Sequence, residues 1–170
     1  MILSFCEVQE KIRVYLDIIM RWCLCQVINI MNELVKILIE GGHSGVLKNG
    51  DKLLTFTRPG VADLYDIYMS TPEVLKGAML ADKVIGKAAA SVAIAGGVSR
   101  IYALLISQHA VNLLAKYNIH FEYEKLVPYI QNRTKDGLCP MEALCLDVEA
   151  PLEAVKQIGE FIQRMRQKAS

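Results

Sequence analysis

Residues 129–144, YIQNRTKDGLCPMEAL, hold the densest set of chemistry-capable side chains in the sequence. Asn132, Arg133, Cys139 and Glu142 could together bind or attack a small substrate. Cys139 stands just before Pro140, a residue suited to the first position of a helix. A thiol at a helix start with an arginine nearby is biased toward thiolate, the nucleophilic form. Glu142 opposes this: it fits the position that closes a capping box onto residue 139, and its charge disfavours thiolate. Free cysteine is also a common buried residue. Nucleophile, binding-loop residue and structural plug therefore all stay open for Cys139. Arg133 could fork onto a carboxylate or phosphate, or sit in an exposed ion pair.

Asp82, Lys83 and Lys87 form a second group. If a helix starts near Ala81, Lys83 and Lys87 share one of its faces, continued by Ser91. Two amines on a helix of small residues are costly unless they reach water, a carboxylate or an anion. They could hold a phosphate or carboxylate, with Asp82 as acid–base group or orienter. Alternatively Asp82 caps the helix and both lysines reach solvent. Gly86-Lys87 is not a phosphate-loop lysine, because no glycine stands five residues before Gly86 and Ala88 replaces the hydroxyl residue. His43, His109 and His120 lack metal-ligand spacing and read as structural; His109, at the start of a helix, is the one to follow.

The elements that must position these groups belong to one domain by length, since 170 residues can bury roughly 70% of the unfolded surface. With 53% apolar and 22% charged residues the chain is globular. A formal net charge of +1 supplies no field that recruits nucleic acid or an anionic membrane. Cysteines at 6, 23, 25, 139 and 145 are odd in number and contain no C-x-x-C, which argues against a disulfide framework or a zinc ribbon. No secretory signal is visible, so the expected location is cytoplasmic, and Asn132-Arg133-Thr134 is then a chance glycosylation match. Arg13, Asp17 and Arg21 interrupt the N-terminal apolar stretch. The run 22–32 is shorter than the ~20 residues a bilayer needs, so no membrane partner is expected.

Residues 1–40 read as helix, ended by Gly41-Gly42. Met31 opens MNELVKILIEGG, which looks like a natural start. Residues 1–30 are therefore read either as a helical extension outside the native domain, which spans 31–170, or as a helix that packs on that domain or on a partner. A hairpin over 44–56 turns at Asn49-Gly50. A helix follows behind Pro59, then a short strand at LKGAML and an alanine-rich helix over 81–97. Strands at 98–107 and 119–127 flank a helix, and helices begin at Pro140 and Pro151. Such alternation implies α/β architecture with a largely parallel or mixed sheet and helices on both faces. The hairpin is expected to supply its one antiparallel pairing.

KGAMLADKVIGKAAA, followed by EKLVPYIQNRT and GLCPMEAL, resembles a family of small uncharacterised prokaryotic proteins within the cytidine deaminase-like superfamily, over about residues 33–162. The resemblance implies a three-layer α/β/α sandwich around a five-stranded mixed sheet. Zinc deaminases carry H/C-x-E and P-C-x-x-C at the starts of two core helices, for the metal and its proton shuttle. Here the first motif would fall on Leu80-Ala81-Asp82 and the second near Ser107-Gln108-His109-Ala110. Neither offers the ligands, and Cys139-Pro140 has reversed order one strand later. The resemblance thus implies a domain without zinc or another cofactor, with its pocket at those helix starts, beside the carboxyl ends of the strands. Three functions are carried forward. The expected one is a pocket lined by Asp82, Lys83, Lys87, Asn132 and Arg133, with Glu142, that binds a nucleotide-like or other anionic small molecule. The second is a metal-independent enzyme using Cys139 as nucleophile with Asp82 or Lys83. The third is a structural protein in which the N-terminal helix makes a homo-oligomer contact.

Overall fold

A computed structural model describes residues 5–169. The chain divides into two compact units, Met1–Glu33 and Leu34–Ser170. Helix α1, Phe5–Glu40, starts in the first and ends in the second. It contains no glycine or proline, so nothing interrupts its ladder of hydrogen bonds. In the first unit Leu16, Ile18, Ile19, Met20, Trp22, Leu24 and Ile28 are all exposed. By length and composition, Leu16–Glu40 is long and apolar enough to cross a membrane. The shorter run counted from sequence stops at each charge, whereas an unbroken helix carries its apolar surface past Asp17 and Arg21.

The second unit contains strands β1 (Gly45–Asn49), β2 (Lys52–Phe56), β3 (Met79–Ile85), β4 (Arg100–Ser107) and β5 (His120–Val127). Helices α2 (Ala62–Ser70), α3 (Lys87–Gly96), α4 (Gln108–Lys116), α5 (Pro140–Cys145) and α6 (Pro151–Ala169) complete it, with a 3-10 turn at Pro72–Val74. The five-stranded mixed sheet runs β2-β1-β3-β4-β5. Strand β1 is antiparallel to both neighbours, so there are two antiparallel pairings where one was expected. Strands β3, β4 and β5 are parallel. Because they advance in one direction, right-handed crossovers place α3 and α4 on the same face. There α3 packs against α2, α4, α5 and α6. Leu80, Ile101 and Ile106 of the sheet join Ala88, Val92, Leu114 and Ile158 of the helices in one buried cluster. The alanines of α3 allow that close approach.

Two boundaries differ from the sequence reading in ways that matter for function. The alanine-rich helix starts at Lys87, not near Ala81, because residues 79–85 are strand. Pairing on both sides, with β1 and β4, overrides the poor strand preference of Ala81 and Asp82. In the hairpin, Asn49 is still paired, opposite Lys52, and the loop residues are Gly50 and Asp51. Gly50 takes the left-handed conformation, φ 56°. Asn49 instead donates from Nδ2 to the carbonyls of Val74 and Lys76, both at 2.9 Å, tying the hairpin to the 3-10 turn.

Candidate functional site

Helices α3 and α4 begin at the carboxyl ends of the adjacent parallel strands β3 and β4, and one side chain joins their starts. Glu142, on α5, is 2% exposed. Its Oε2 accepts the backbone N–H of Lys87, the first residue of α3, at 2.7 Å. Its Oε1 lies 3.1 Å from Nδ1 of His109, near the start of α4. That helix is capped separately by Ser107 Oγ, which accepts from Ala110 N–H at 3.1 Å. A carboxylate only accepts hydrogen bonds, so Nδ1 carries a proton in this pairing, and in the neutral ring Nε2 is then the acceptor. Gly86 permits the arrangement by size: its backbone is extended, and a Cβ there would overlap Glu142 Oε2.

The Lys87 side chain runs the other way and is also buried. Its Nζ donates to the Leu146 carbonyl at 2.6 Å and lies 3.5 Å from Glu149 Oε1. The second oxygen of Glu149 accepts from Lys116 Nζ at 2.8 Å. These hydrogen bonds and charges from Lys116 and Lys87 hold the Glu149 carboxyl below its ordinary range, and Glu149 in turn raises Lys116. The exposures are unequal: the Glu149 side chain is 69% exposed and that of Lys87 6%. Lys87, His109, Asn112, Lys116, Leu146 and Glu149 line a cleft of about 360 Å³. Three of them, at 109, 112 and 116, form a stripe along one face of α4.

The residues singled out from sequence are dispersed. Lys87 and Glu142 meet, as described, but through the lysine's backbone. Asp82 is buried in mid-strand opposite Gly45, so it cannot cap a helix. Burial pushes its carboxyl up to about 7, against the pull of the Val84 and Lys83 N–H groups and the Lys83 charge. Lys83 lies on β3, where its N–H donates to the Ser44 carbonyl at 2.9 Å, so it shares no helix face with Lys87. The capping box does not form, because Cys139 N–H donates to the Ile130 carbonyl at 2.8 Å and Glu142 is engaged at α3. Cys139 is half-buried in a hollow of about 50 Å³ with Val61, Val84, Ile130, Met141 and Glu142. Asn132 closes its own turn, donating to Asp136 Oδ1 at 2.6 Å and accepting Asp136 N–H at 3.2 Å. Arg133 is exposed on that turn. Asn132 borders a separate cleft of about 470 Å³ with Val84, Leu105, Tyr129 and Lys135. Cys145 is buried, and burial followed by the Glu142 charge pushes its thiol up to about 11.

Sequence reasoning missed His109 as the partner of Glu142, and Asn112, Lys116 and Glu149 as cleft residues. The spacing of residues 109, 112 and 116 on a predicted helix was a usable signal for three of them. Among the described residues no group of three His, Cys, Asp or Glu side chains could hold a metal ion.

A five-stranded mixed sheet whose parallel strands feed helices that start beside a polar cleft defines an α/β domain. Residues 33–162 match the TM1506 family, a domain of unknown function (DUF1893), and the chain belongs to that family. It is similar to the crystal structure of a DUF1893 family protein (TM1506) from Thermotoga maritima, with 25% identity and a TM-score of 0.73, over 78% of this chain and 89% of that one. No curated protein matches the chain.

Proposed function

We propose that the domain binds a small anion, nucleotide-like or otherwise, in the cleft between Lys87, His109 and Lys116. The observation that carries this is the Lys87 ammonium: it is buried, yet its carboxylate partner is an exposed side chain shared with a second lysine. A buried charge is costly unless it is paired and hydrogen-bonded, and here, among the described residues, the only carboxylate beside the ammonium is one that faces water. Glu142 is a buried carboxylate, but its oxygens are spent on the Lys87 backbone and on His109. Glu149 can swing into water, and a phosphate or carboxylate can take its place against both amines. Asn112 and His109 then supply polar contacts. The cleft volume lies within the ~300–1,000 Å³ usual for small-molecule sites.

The reading keeps the expected ligand class and changes the lining, since Asp82, Lys83, Asn132 and Arg133 do not border this cleft. It also keeps the cytidine deaminase-like, three-layer α/β/α assignment without zinc, and a cytoplasmic location. What supports the part without zinc is that the cleft opens where α3 and α4 start, at Gly86-Lys87-Ala88 and Gln108-His109-Ala110, which carry no cysteine. The alternative enzyme built on Cys139 with Asp82 or Lys83 finds less support, because the hollow beside the thiol is small and neither partner borders it.

Thermal unfolding with inorganic phosphate and nucleoside monophosphates tests the proposal. Ligand at ten times its Kd adds about 1.4 kcal/mol, or roughly 3–5 °C for a chain of this size. The shift should vanish in Lys87→Met and Lys116→Met. No shift of the wild type with any of these anions would sink the proposal.

A further inference from the structure

We infer that His109, held by Glu142, is a general base, so that the domain is an enzyme that acts by proton transfer on an anionic substrate about 10 Å long. This rests on the anion-binding reading of the same cleft. The first support is the fixed carboxylate. Glu142 is buried, both its oxygens have partners, and one partner is a backbone N–H that cannot swing away. A carboxylate so held fixes the ring and the tautomer of the histidine it meets, as it does in hydrolase triads. The second is access: the His109 side chain is 32% exposed and borders the cleft, so Nε2 is the nitrogen left to meet a substrate.

The third support is the stripe on α4. Gln108 Nε2 donates to Asn112 Oδ1 at 2.9 Å, which leaves the Asn112 amide N–H groups to donate into the cleft. Acceptor, donor and cation thus follow one another at residues 109, 112 and 116. Along the helix axis the steps are about 4.5 Å and about 6 Å. A matching ligand has an acidic group at Lys116, an oxygen acceptor near Asn112 and the reacting centre at His109. A phosphorylated sugar or nucleoside that carries an ester or amide at its far end has this size and chemistry.

In an acyl transfer the O–H bond of a water breaks, and its electron pair forms the new bond to the substrate's carbonyl carbon. The C=O π pair moves onto the carbonyl oxygen, from which it re-forms the double bond on collapse. The proton passes to Nε2, and the imidazolium is stabilised by Glu142. When the tetrahedral intermediate collapses, the bond to the leaving group breaks and Nε2 returns the proton to it. Glu142 is here a positioning residue, because it acts through His109.

Two measurements on the full chain test this. With p-nitrophenyl acetate as probe, hydrolysis by the wild type should exceed that by His109→Gln about 100-fold, and inorganic phosphate should inhibit it. Equal rates for wild type and His109→Gln would overturn the inference. Nitrogen-15 imidazole spectra should show His109 as the Nδ1–H tautomer, and Glu142→Gln should weaken that preference. An Nε2–H tautomer in the wild type would overturn the inference even if Glu142→Gln fails to fold. Phosphate binding without hydrolysis that depends on His109 removes the general base and leaves the anion site standing. Absence of phosphate binding removes the anion site itself.

Discussion

Glu142 and Asp82 are both buried carboxyl groups, and their surroundings give them opposite consequences. Glu142 spends each oxygen on a partner from another element. Asp82 is held only by the N–H groups of its own strand and the Lys83 charge, and burial wins, raising it to about 7. Its unfolded-state value is near 4. Between about pH 4 and pH 7 the folded protein therefore holds a proton that the unfolded chain has released. Stability falls as pH rises through that window. Asp82→Asn removes the penalty and should stabilise the protein by roughly 2–4 kcal/mol at pH 8, with little effect near pH 4. Urea unfolding at the two pH values checks this, and an equal effect at both would contradict it. The sequence displayed the right kinds of residue but not their partners. Glu142 satisfied a local capping pattern, yet its real acceptor bonds join residues 55 and 33 positions away.

At the scale of elements, most of the alternation was legible because glycine and proline mark its joints. Gly41, Pro140 and Pro151 stand where the sequence reading ends or starts helices, and the strands at 100–107 and 120–127 fall within the runs read as strands. The junction between β3 and α3 was not legible. Ala81, Asp82 and Lys83 are poor strand residues locally, and pairing of Ala81 and Asp82 with β1 and β4 makes the segment strand. That shift of six residues separates Lys83 from Lys87 and puts Lys87, not Asp82, at the helix start. Gly86 sits at the joint, and its side-chain-free surface admits the Glu142 carboxylate. Gly86→Ala should therefore cost about 1–3 kcal/mol through overpacking and weaken phosphate binding by displacing Lys87. Chemical denaturation reads the first effect. A variant as stable as wild type would mean that Glu142 does not need this contact.

On the whole-molecule scale, the main buried cluster lies wholly within Leu34–Ser170. Residues 34–170 should thus unfold cooperatively without the rest of α1. Seven large apolar residues between Leu16 and Ile28 are exposed on this one helix, and clustered exposed apolar side chains mark interaction surfaces. The full chain should elute as a larger species than residues 34–170 alone; a monomer in both cases would leave no role for α1 in self-association. The cleft is also a property of the whole molecule, since α3, α4 and the segment after α5 each supply part of it. No local window of sequence contains it. In the proposed binding mode an anion competes with Glu149 for Lys87 and Lys116. Calorimetric titration of inorganic phosphate into wild type and Glu149→Gln tests that most directly. Losing a competing carboxylate should tighten binding by about tenfold, which corresponds to about 1.4 kcal/mol. Equal or weaker binding by Glu149→Gln would contradict it.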